Sequence, residues 1–504
     1  MTKKESRIVL FSITLCWASS YIFIKDIQGL STYAYLTLTS GVAGVILALV
    51  FFRLFRELNR RTLFHGAVLA LLITGNMLFE KLGLDIIPAS AASTFASMNI
   101  IIVPLILIFL KKYPSRNNIV GIIIITAGLI IANGVTLNGS GMLGALYMLA
   151  SCVMMSLYTI CATDFAKKSN PLLLTVLQLC ITALIGFSLW VIKEPGTLTK
   201  ISWSTETISY ILVIAFFSKS YAYLMLMYAD KYADPISVTV VASMEPVVTL
   251  LLALFIPDIH GNTETFSLHS LIGASVITLG AIIAGTDFLS RKETAVASPD
   301  AAVNDTPADA APDAAKGSAA FLPLKRTGWH ERILTFLKPF VLVTILFAVL
   351  GSSIDIADFA EGYTNIRPEN FIPIPAGMLF GPAGALGCAV GNLIADFFAD
   401  YKYTTFIGFI ANFLNAYIPY RIWYALSGRD PDTHTWKRLL LFIWAATVGC
   451  LTCSWCLSFG LDLFFSYWID SLMPVTFGNN LFFSLAVGLP CFIVLTTEKK
   501  GFVR

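Results

Sequence analysis

Long apolar runs separated by short polar stretches dominate the chain, and each run predicts a membrane-spanning helix. Runs such as 119–132 and 247–256, together with their apolar flanks, approach the roughly 20 residues that cross a bilayer. In lipid, each backbone amide must be paired within its own segment, which favours helices. The alternation typical of a membrane β-barrel is absent. The pattern therefore predicts an all-α integral membrane protein.

The apolar pattern is interrupted between residues 293 and 335. Residues 293–320 are rich in Ala, Asp and Pro and contain no aromatic residue. Such a composition cannot bury enough apolar surface to fold. We therefore predict a flexible linker and approach segment at 293–335, between membrane domains at 1–292 and 336–504.

Loop charge predicts the number and direction of the spans. With ten spans in the first domain, alternate connections hold 15 basic residues and the other connections hold four. In the second domain, a break at Phe380-Gly381-Pro382 gives six spans and collects the basic residues on one side. Cytoplasmic loops are enriched in Lys and Arg. We thus expect the N-terminus, the linker and the C-terminus in the cytoplasm, with the protein in a bacterial inner membrane.

The first domain contains an internal repeat. Residues 121–133 and 273–285 agree at seven of 13 positions, and the triplet Ala96-Ser97-Met98 recurs as Ala242-Ser243-Met244. With five spans in each half, an odd number, the halves insert in opposite orientation. Inverted repeats are typical of transporters that hold their substrate near the midplane. The sequence therefore predicts a ten-helix, 5+5 inverted-repeat transporter domain.

Two motifs of the first domain resemble a known family. WASSYIFIK (17–25) resembles the first-helix signature of drug/metabolite transporters of the EamA type, and SMEPVV (243–248) is similar to their ninth-helix motif. The resemblance covers about residues 5–290. It implies a ten-helix carrier with a central cavity for amino acids, nucleobases, sugars or drugs. The second helix departs from the family, since it offers Tyr33 and Tyr35 where an Arg is often found.

A glycine-rich block of the second domain resembles another family. Residues 371–391 (FIPIPAGMLFGPAGALGCAVG) look like the second and third helices of the S components of energy-coupling-factor vitamin transporters. The resemblance implies external capture of a micronutrient and separate energy-coupling subunits. In that family small residues of the first helix meet the coupling subunit, a role open here to Ala348 and Ser352. Helix packing is the alternative for such a pair.

Ionisable and polar residues inside the spans are the candidates for a substrate site, because burying them in lipid is costly. We expect Lys219 and Glu245 to face the central cavity as a pair. Lys219 would attract an anionic group, and Glu245 would bind a proton or an amine. A static ion pair is the alternative. The other candidates are polar or aromatic residues of the spans, for which ordinary packing is the alternative: Trp17, Ser20, Tyr21, Asn76, Tyr221 and Tyr223. Glu80-Lys81 is interpreted as a pair at the membrane interface.

The second domain offers its own candidates near its first external loop and on its fourth span. They are Glu361, Tyr363, Arg367, Asn370, Asn412 and Asn415. A solvated loop and interhelical hydrogen bonds are the alternatives. Cys450-x-x-Cys453-x-x-Cys456 is interpreted as core packing, and we expect no metal site.

The composition narrows the functional classes. Hydrophobic residues make up 57% of the chain and charged residues 13%, against about 25% charged in soluble proteins. The net charge of +3 does not suggest nucleic-acid binding. Neither a GxxxxGK[ST] nor an HExxH motif is present, and no catalytic arrangement is apparent. We therefore expect neither an enzyme nor a cofactor. The partners predicted are the lipid bilayer and a small-molecule substrate.

Two functions follow from these patterns. The first is transport of a small polar metabolite by alternating access, coupled to protons or to exchange. The alternative is capture of a vitamin-like compound by the second domain, acting with separate coupling subunits.

Overall fold

The computed structural model is helical almost throughout. It describes residues 1–497 except 27–29, 88, 134–138, 198–202, 256–267, 286–328, 354–357, 361–363, 366, 399–404 and 466–471. Nine helices in these parts of the chain are long and apolar enough to cross a membrane. The predicted all-α membrane fold is thus confirmed, whereas the counts of ten and six spans stay predictions.

Before residue 286, the described residues form thirteen α-helices and a π-helical segment. The helices are α1 (Lys3–Asp26), α2 (Thr32–Val50), α3 (Arg60–Leu84), α4 (Ala89–Ala96), α5 (Asn99–Phe109), α6 (Arg116–Asn133), α7 (Gly139–Lys168), α8 (Pro171–Lys193), α9 (Thr205–Val213), α10 (Ala222–Tyr232), α11 (Pro235–Ala242), α12 (Glu245–Phe255) and α13 (Leu268–Gly285). The π-helical segment Ile214–Tyr221 joins α9 to α10, and short 3₁₀ turns lie at Phe52–Glu57 and Pro195–Thr197.

Local sequence explains several helix starts. Ser31, Asn59, Asn170 and Asp234 each accept a hydrogen bond from a backbone N–H in the first turn of the helix that follows. These side chains satisfy amides that have no partner within the helix. Pro171 and Pro235 occupy the first turn, where a missing N–H costs little.

Helices α6 and α13 pack against each other through glycines. A Cβ atom added to Gly121 would lie 2.7 Å from the carbonyl oxygen of Gly280, and one added to Gly128 would lie 3.0 Å from that of Gly273. The repeat pairs Gly121 with Gly273 and Gly128 with Gly280. The contact of Gly121 with Gly280 and that of Gly128 with Gly273 are therefore equivalent, because exchanging the two halves of the repeat converts one into the other.

After residue 328, the described parts of the chain form seven α-helices and a very small hairpin. The elements are α14 (Trp329–Ser353), β1 (Asp358–Ala360), β2 (Thr364–Asn365), a 3₁₀ turn (Pro368–Phe371), α15 (Pro373–Phe380), α16 (Pro382–Phe398), α17 (Thr405–Ser427), α18 (Trp436–Phe465), α19 (Leu472–Phe483), a π-helical segment (Ser484–Gly488) and α20 (Leu489–Thr497). Strands β1 and β2 are antiparallel. Helix α14 begins inside the predicted approach segment.

The predicted break in the glycine-rich block is present. Gly381 separates α15 from α16 with a φ of 57°, a conformation in which a Cβ atom would be strained. Helix α15 is only eight residues long.

The two regions pack against each other. Phe371 of the C-terminal region packs against both Phe216 and Phe217 of the N-terminal π-helical segment, with its ring centroid 6.3 and 6.4 Å from theirs. Helix α1 contacts α20. A continuous apolar core extends through both regions.

Candidate functional site

Two broken helices cross in the N-terminal region. The break between α4 and α5 falls at Ser97-Met98, and the break between α11 and α12 falls at Ser243-Met244. Both breaks therefore occur at the repeated Ala-Ser-Met triplet. Helix α4 contacts α12, and α11 contacts α5. Half-helix ends of this kind present unpaired backbone groups and a helix dipole to a binding site.

Each break places a polar residue at the start of the second half-helix. Asn99 begins α5 and Glu245 begins α12, and their exposed fractions are only 6% each. The side-chain oxygen of Asn99 has no hydrogen-bond partner. Buried polar atoms are normally paired, so an unpaired one in a native site calls for an explanation.

Next to the second break, the side chain of Tyr21 interacts with two carboxyl groups. The hydroxyl of Tyr21 on α1 interacts with the carboxyl groups of Glu80 on α3 and Glu245 on α12. Helix α1 reaches both, because it packs against α12 and α3. The two carboxyl groups also interact electrostatically with each other.

Lys219 lies next to Glu80, in an aromatic cage formed by the rings of Tyr35 and Tyr223. It belongs to the π-helical segment and is 3% exposed, with Nζ 5.8 Å from the ring centroid of Tyr35 and 5.9 Å from that of Tyr223. An ammonium group over an aromatic face is stabilised by the ring quadrupole. Its charged neighbour is Glu80. No carboxylate among the described residues forms an ion pair with it.

The expected direct pair of Lys219 and Glu245 is not what the structure shows. Glu80 interacts electrostatically with each of them, so three ionisable groups form one cluster. Lys81 pairs with Asp85, at 2.5 Å, so Glu80 is not half of an interface pair. We call Tyr21, Glu80, Lys219 and Glu245 the central cluster.

Two more of the predicted residues border the central cluster. Trp17 donates a hydrogen bond from Nε1 to the carbonyl oxygen of Ser218, at 3.2 Å, and its ring lies 5.5 Å from that of Tyr223. The hydroxyl of Tyr35 is buried and has no hydrogen-bond partner. This part of the site therefore offers aromatic surface and unused hydrogen-bonding capacity.

Three predicted residues make helix contacts of their own instead. Ser20 donates to the carbonyl oxygen of Trp17 within α1, at 2.8 Å. Asn76 donates to the hydroxyl of Ser151, also at 2.8 Å, and so joins α3 to α7. The hydroxyl of Tyr221 lies 2.8 Å from that of Ser12. These contacts fit packing roles.

The site includes residues that the sequence reasoning missed. Glu80 belongs to the central cluster, and Asn99 occupies the position equivalent to Glu245. The signal for Asn99 was present, because both residues directly follow the repeated triplet.

The C-terminal region contains a polar cavity of about 100 Å³. Arg367, Asn370 and Asn412 line it, as do Asn392, Asp396 and Asn480, which were not predicted. Asn415 is buried but does not line the cavity. Glu361 and Tyr363 lie outside the described residues.

Hydrogen bonds organise the walls of this cavity. Arg367 forms an ion pair with Asp396 at 3.4 Å. The amide of Asn370 donates to Asn480 at 2.6 Å, and within the described parts of the chain the side-chain oxygen of Asn412 has no hydrogen-bond partner. The cavity can therefore accept a small ligand that makes several hydrogen bonds.

Broken apolar helices around a buried ionisable cluster are features of polytopic membrane proteins that handle small polar molecules. Comparison with known proteins agrees. The EamA-like transporter family matches residues 6–134 and again 142–286, together more than half of the chain.

The chain belongs to the EamA-like transporter family. It is therefore an integral membrane transporter, with the lipid bilayer and a small-molecule substrate as its partners.

The other comparisons add little. No curated protein matches the chain. A solved structure titled "Crystal structure of protein" is 17% identical, over 56% of this chain and 97% of that chain, with a TM-score of 0.47.

Proposed function

We propose that residues 1–292 carry a small polar metabolite with both an anionic and a cationic or proton-donating group, by alternating access. The observation that carries the proposal is the central cluster in an apolar bundle. Lys219, which forms no ion pair within the described parts of the chain, lies beside Glu80, and Glu80 in turn interacts with Glu245. Charged groups within spans are costly and are characteristic of substrate and ion pathways.

The roles follow from charge and position. Lys219 binds the anionic group of the substrate, such as a carboxylate, while the aromatic cage holds the apolar part of the molecule. Glu245 and Glu80 bind either the substrate's amine or a proton, and Tyr21 positions both carboxyl groups. Coupling to protons or to exchange fits these groups, since a carboxyl group at a broken helix can bind either a proton or a cationic substrate.

The inverted layout is also part of this proposal. The two separate family matches, the equivalent breaks in α4/α5 and α11/α12, and the exchanged glycine contacts of α6 and α13 support two related halves. The charge bias of the loops supports cytoplasmic termini in a bacterial inner membrane.

Ligand binding to purified full-length protein tests the proposed site. Amino acids, nucleobases and vitamins are screened for an increase in melting temperature, since a ligand that binds the folded state stabilises it by mass action. Lys219→Met should weaken binding of the active compound about 10- to 100-fold, because a hydrogen bond to a charged group contributes about 1.5–3 kcal/mol. Lys81→Met, which removes a buried lysine paired with Asp85, is the matched control. Equal affinity in the Lys219→Met protein would refute the role of Lys219.

A second function is proposed for the C-terminal region on the basis of its cavity. The cavity would capture a small, neutral, hydrogen-bonding compound such as a vitamin, and separate energy-coupling subunits would act with it. The unpaired oxygen of Asn412 supports a ligand that donates a hydrogen bond. Asn412→Leu should abolish stabilisation by such a compound, whereas Asn415→Leu, which changes a neighbouring amide outside the cavity, should not. Stabilisation that survives Asn412→Leu would argue against a site in this cavity.

A further inference from the structure

A fully buried carboxyl group lies outside the central cluster. Asp230, near the end of α10, has no exposed surface, and neither of its carboxyl oxygens has a hydrogen-bond partner among the residues that the structure describes. It lies far along α10 from Lys219, which belongs to the preceding π-helical segment.

The surroundings of Asp230 are polar but do not pair with it. It interacts electrostatically with the hydroxyl of Tyr158 and with Lys167, both on α7. The hydroxyl of Tyr158 donates instead to Gln178 on α8, at 3.1 Å, and the amide nitrogen of Gln178 has no partner. Lys167 is exposed, and Lys231, next to Asp230, lies over the ring of Tyr232.

An ionised carboxylate is costly in such a place. Burying an unpaired charge is far more unfavourable than burying a neutral polar group. The burial of Asp230 without a hydrogen-bonded partner among the described residues therefore suits a protonated carboxyl group.

The internal repeat gives Asp230 a counterpart. Glu80-Lys81 precedes Pro88 and the first Ala-Ser-Met triplet, and Asp230-Lys231 precedes Pro235 and the second triplet. Glu80 precedes its triplet by 16 residues and Asp230 precedes its triplet by 12, so the two acidic residues lie near the ends of α3 and α10, about one helical turn apart in the repeat. In an inverted repeat, these ends lie on opposite sides of the membrane.

The two counterparts differ in this conformation. Glu80 is partly exposed and interacts with Tyr21 and Lys219, whereas Asp230 is completely buried. Alternating access exchanges the conformations of the two halves, which would open the surroundings of Asp230 and close those of Glu80.

We propose that Asp230 is a proton-binding site of the carrier, the cytoplasmic counterpart of Glu80, and that it exchanges its proton when the protein opens to the cytoplasm. The proposal rests on the carrier function proposed above for residues 1–292. It adds a second ionisable position, distinct from Glu245, at which a proton is held during the transport cycle.

Infrared spectroscopy of the full-length protein at neutral pH tests the proposal without a substrate. In the infrared, protonated carboxyl groups absorb at a different frequency from ionised ones. Labelling the side-chain carboxyl of aspartate with ¹³C shifts the aspartate band away from the glutamate bands. We expect one protonated aspartate band in the labelled wild-type protein. The band should disappear in Asp230→Asn and persist in Asp164→Asn, which changes an exposed aspartate on α7.

The amide side chain introduced by Asp230→Asn resembles a neutral carboxyl group. The melting temperature of this variant should therefore equal or exceed that of the wild-type protein. The proposal is overturned if the labelled wild-type protein has no protonated aspartate band, or if the band survives Asp230→Asn. The wild-type spectrum alone decides the first point even if the variant does not fold. A band that behaves as expected in a protein without transport activity would refute the carrier function while leaving the proton site intact.

Discussion

Glu5 joins the beginning of the chain to the C-terminal region. Its carboxylate accepts a hydrogen bond from the hydroxyl of Thr433 at 2.6 Å and one from the backbone N–H of Thr2 at 2.7 Å. Nδ1 of His434 lies 3.1 Å from Oε1 of Glu5. Burial raises the pKa of Glu5, but the hydrogen bonds from Thr2 and Thr433 and the charge of His434 together lower it below the ordinary value.

We predict that this contact weakens in acid. Because the pKa of Glu5 is lowered on folding, its carboxylate stabilises the protein above the ordinary Glu value of about 4.3, and the effect is lost as the pH falls through the lowered pKa. Glu5→Gln should cost about 1.5–3 kcal/mol at neutral pH and little in acid. Thermal unfolding between pH 7 and the acid range measures this, with Asp164→Asn as a surface control. A Glu5→Gln protein that is equally destabilised at every pH would contradict the prediction.

At the residue scale, the ionisable candidates and the polar candidates have different surroundings. Lys219, Glu245 and Tyr21 belong to one cluster with Glu80, whereas their role in binding substrate stays a proposal. Asn76 and Tyr221 looked similar in sequence, but their polar atoms find partners on neighbouring helices. Neither residue composition nor spacing along the sequence shows whether a polar side chain hydrogen-bonds to a neighbouring helix or is available to a ligand. Glu80 was misread because its sequence neighbour Lys81 suggested the wrong partner.

Among the helices, the close contact of α6 and α13 depends on glycine. A Cβ atom at position 280 would approach Ile125 and the carbonyl oxygen of Gly121 to within 3 Å. Small residues at such interfaces let helix backbones approach closely in membranes.

We predict that Gly280→Val destabilises the protein by about 1–3 kcal/mol, the usual cost of overpacking. Gly478→Val is the matched control, since a Cβ atom at Gly478 meets nothing within 4 Å. Melting temperatures of the two variants in the same detergent give the comparison. If both unfolded at the wild-type temperature, the glycine contact would not be a determinant of packing.

Hydrophobic pattern predicted the helices well but did not reveal how they are broken. The repeated triplet indicated related halves. Pro246 marks the break at Ser243-Met244, because a proline is tolerated in the first turn of a helix but not in its interior. Pro104 lies inside α5 and does not mark the break at Ser97-Met98. The π-helical segment that carries Lys219 was also invisible, because its apolar pattern reads as part of one long span. Gly381 was predictable, since Gly-Pro is a strong local break.

On the scale of the whole molecule, the two membrane regions are joined by an interface as well as by the chain. Phe371 packs against Phe216 and Phe217, and α1 contacts α20. The sequence could not predict this interface, because its side chains are as apolar as those that face lipid.

We predict that the two regions stay together after the chain is cut. A protease site placed within 293–320 is cleaved in the purified protein, and the fragments are followed by size-exclusion chromatography. They should elute together, and Phe371→Ala should promote their separation by removing the ring between the two regions. Uncleaved Phe371→Ala protein controls for unfolding. Fragments that separate without this substitution would show that the linker alone joins the regions.

Transport by reconstituted full-length protein tests the central claim, that the cluster around Lys219 and Glu245 carries the substrate. A labelled form of the compound that raises the melting temperature is offered to proteoliposomes under an imposed pH gradient. We expect accumulation by the wild-type protein and by Asn412→Leu, loss of flux in Lys219→Met, and loss of proton-driven accumulation in Glu245→Gln. Uptake that persists in Lys219→Met but disappears in Asn412→Leu would contradict the account and assign the substrate to the C-terminal cavity.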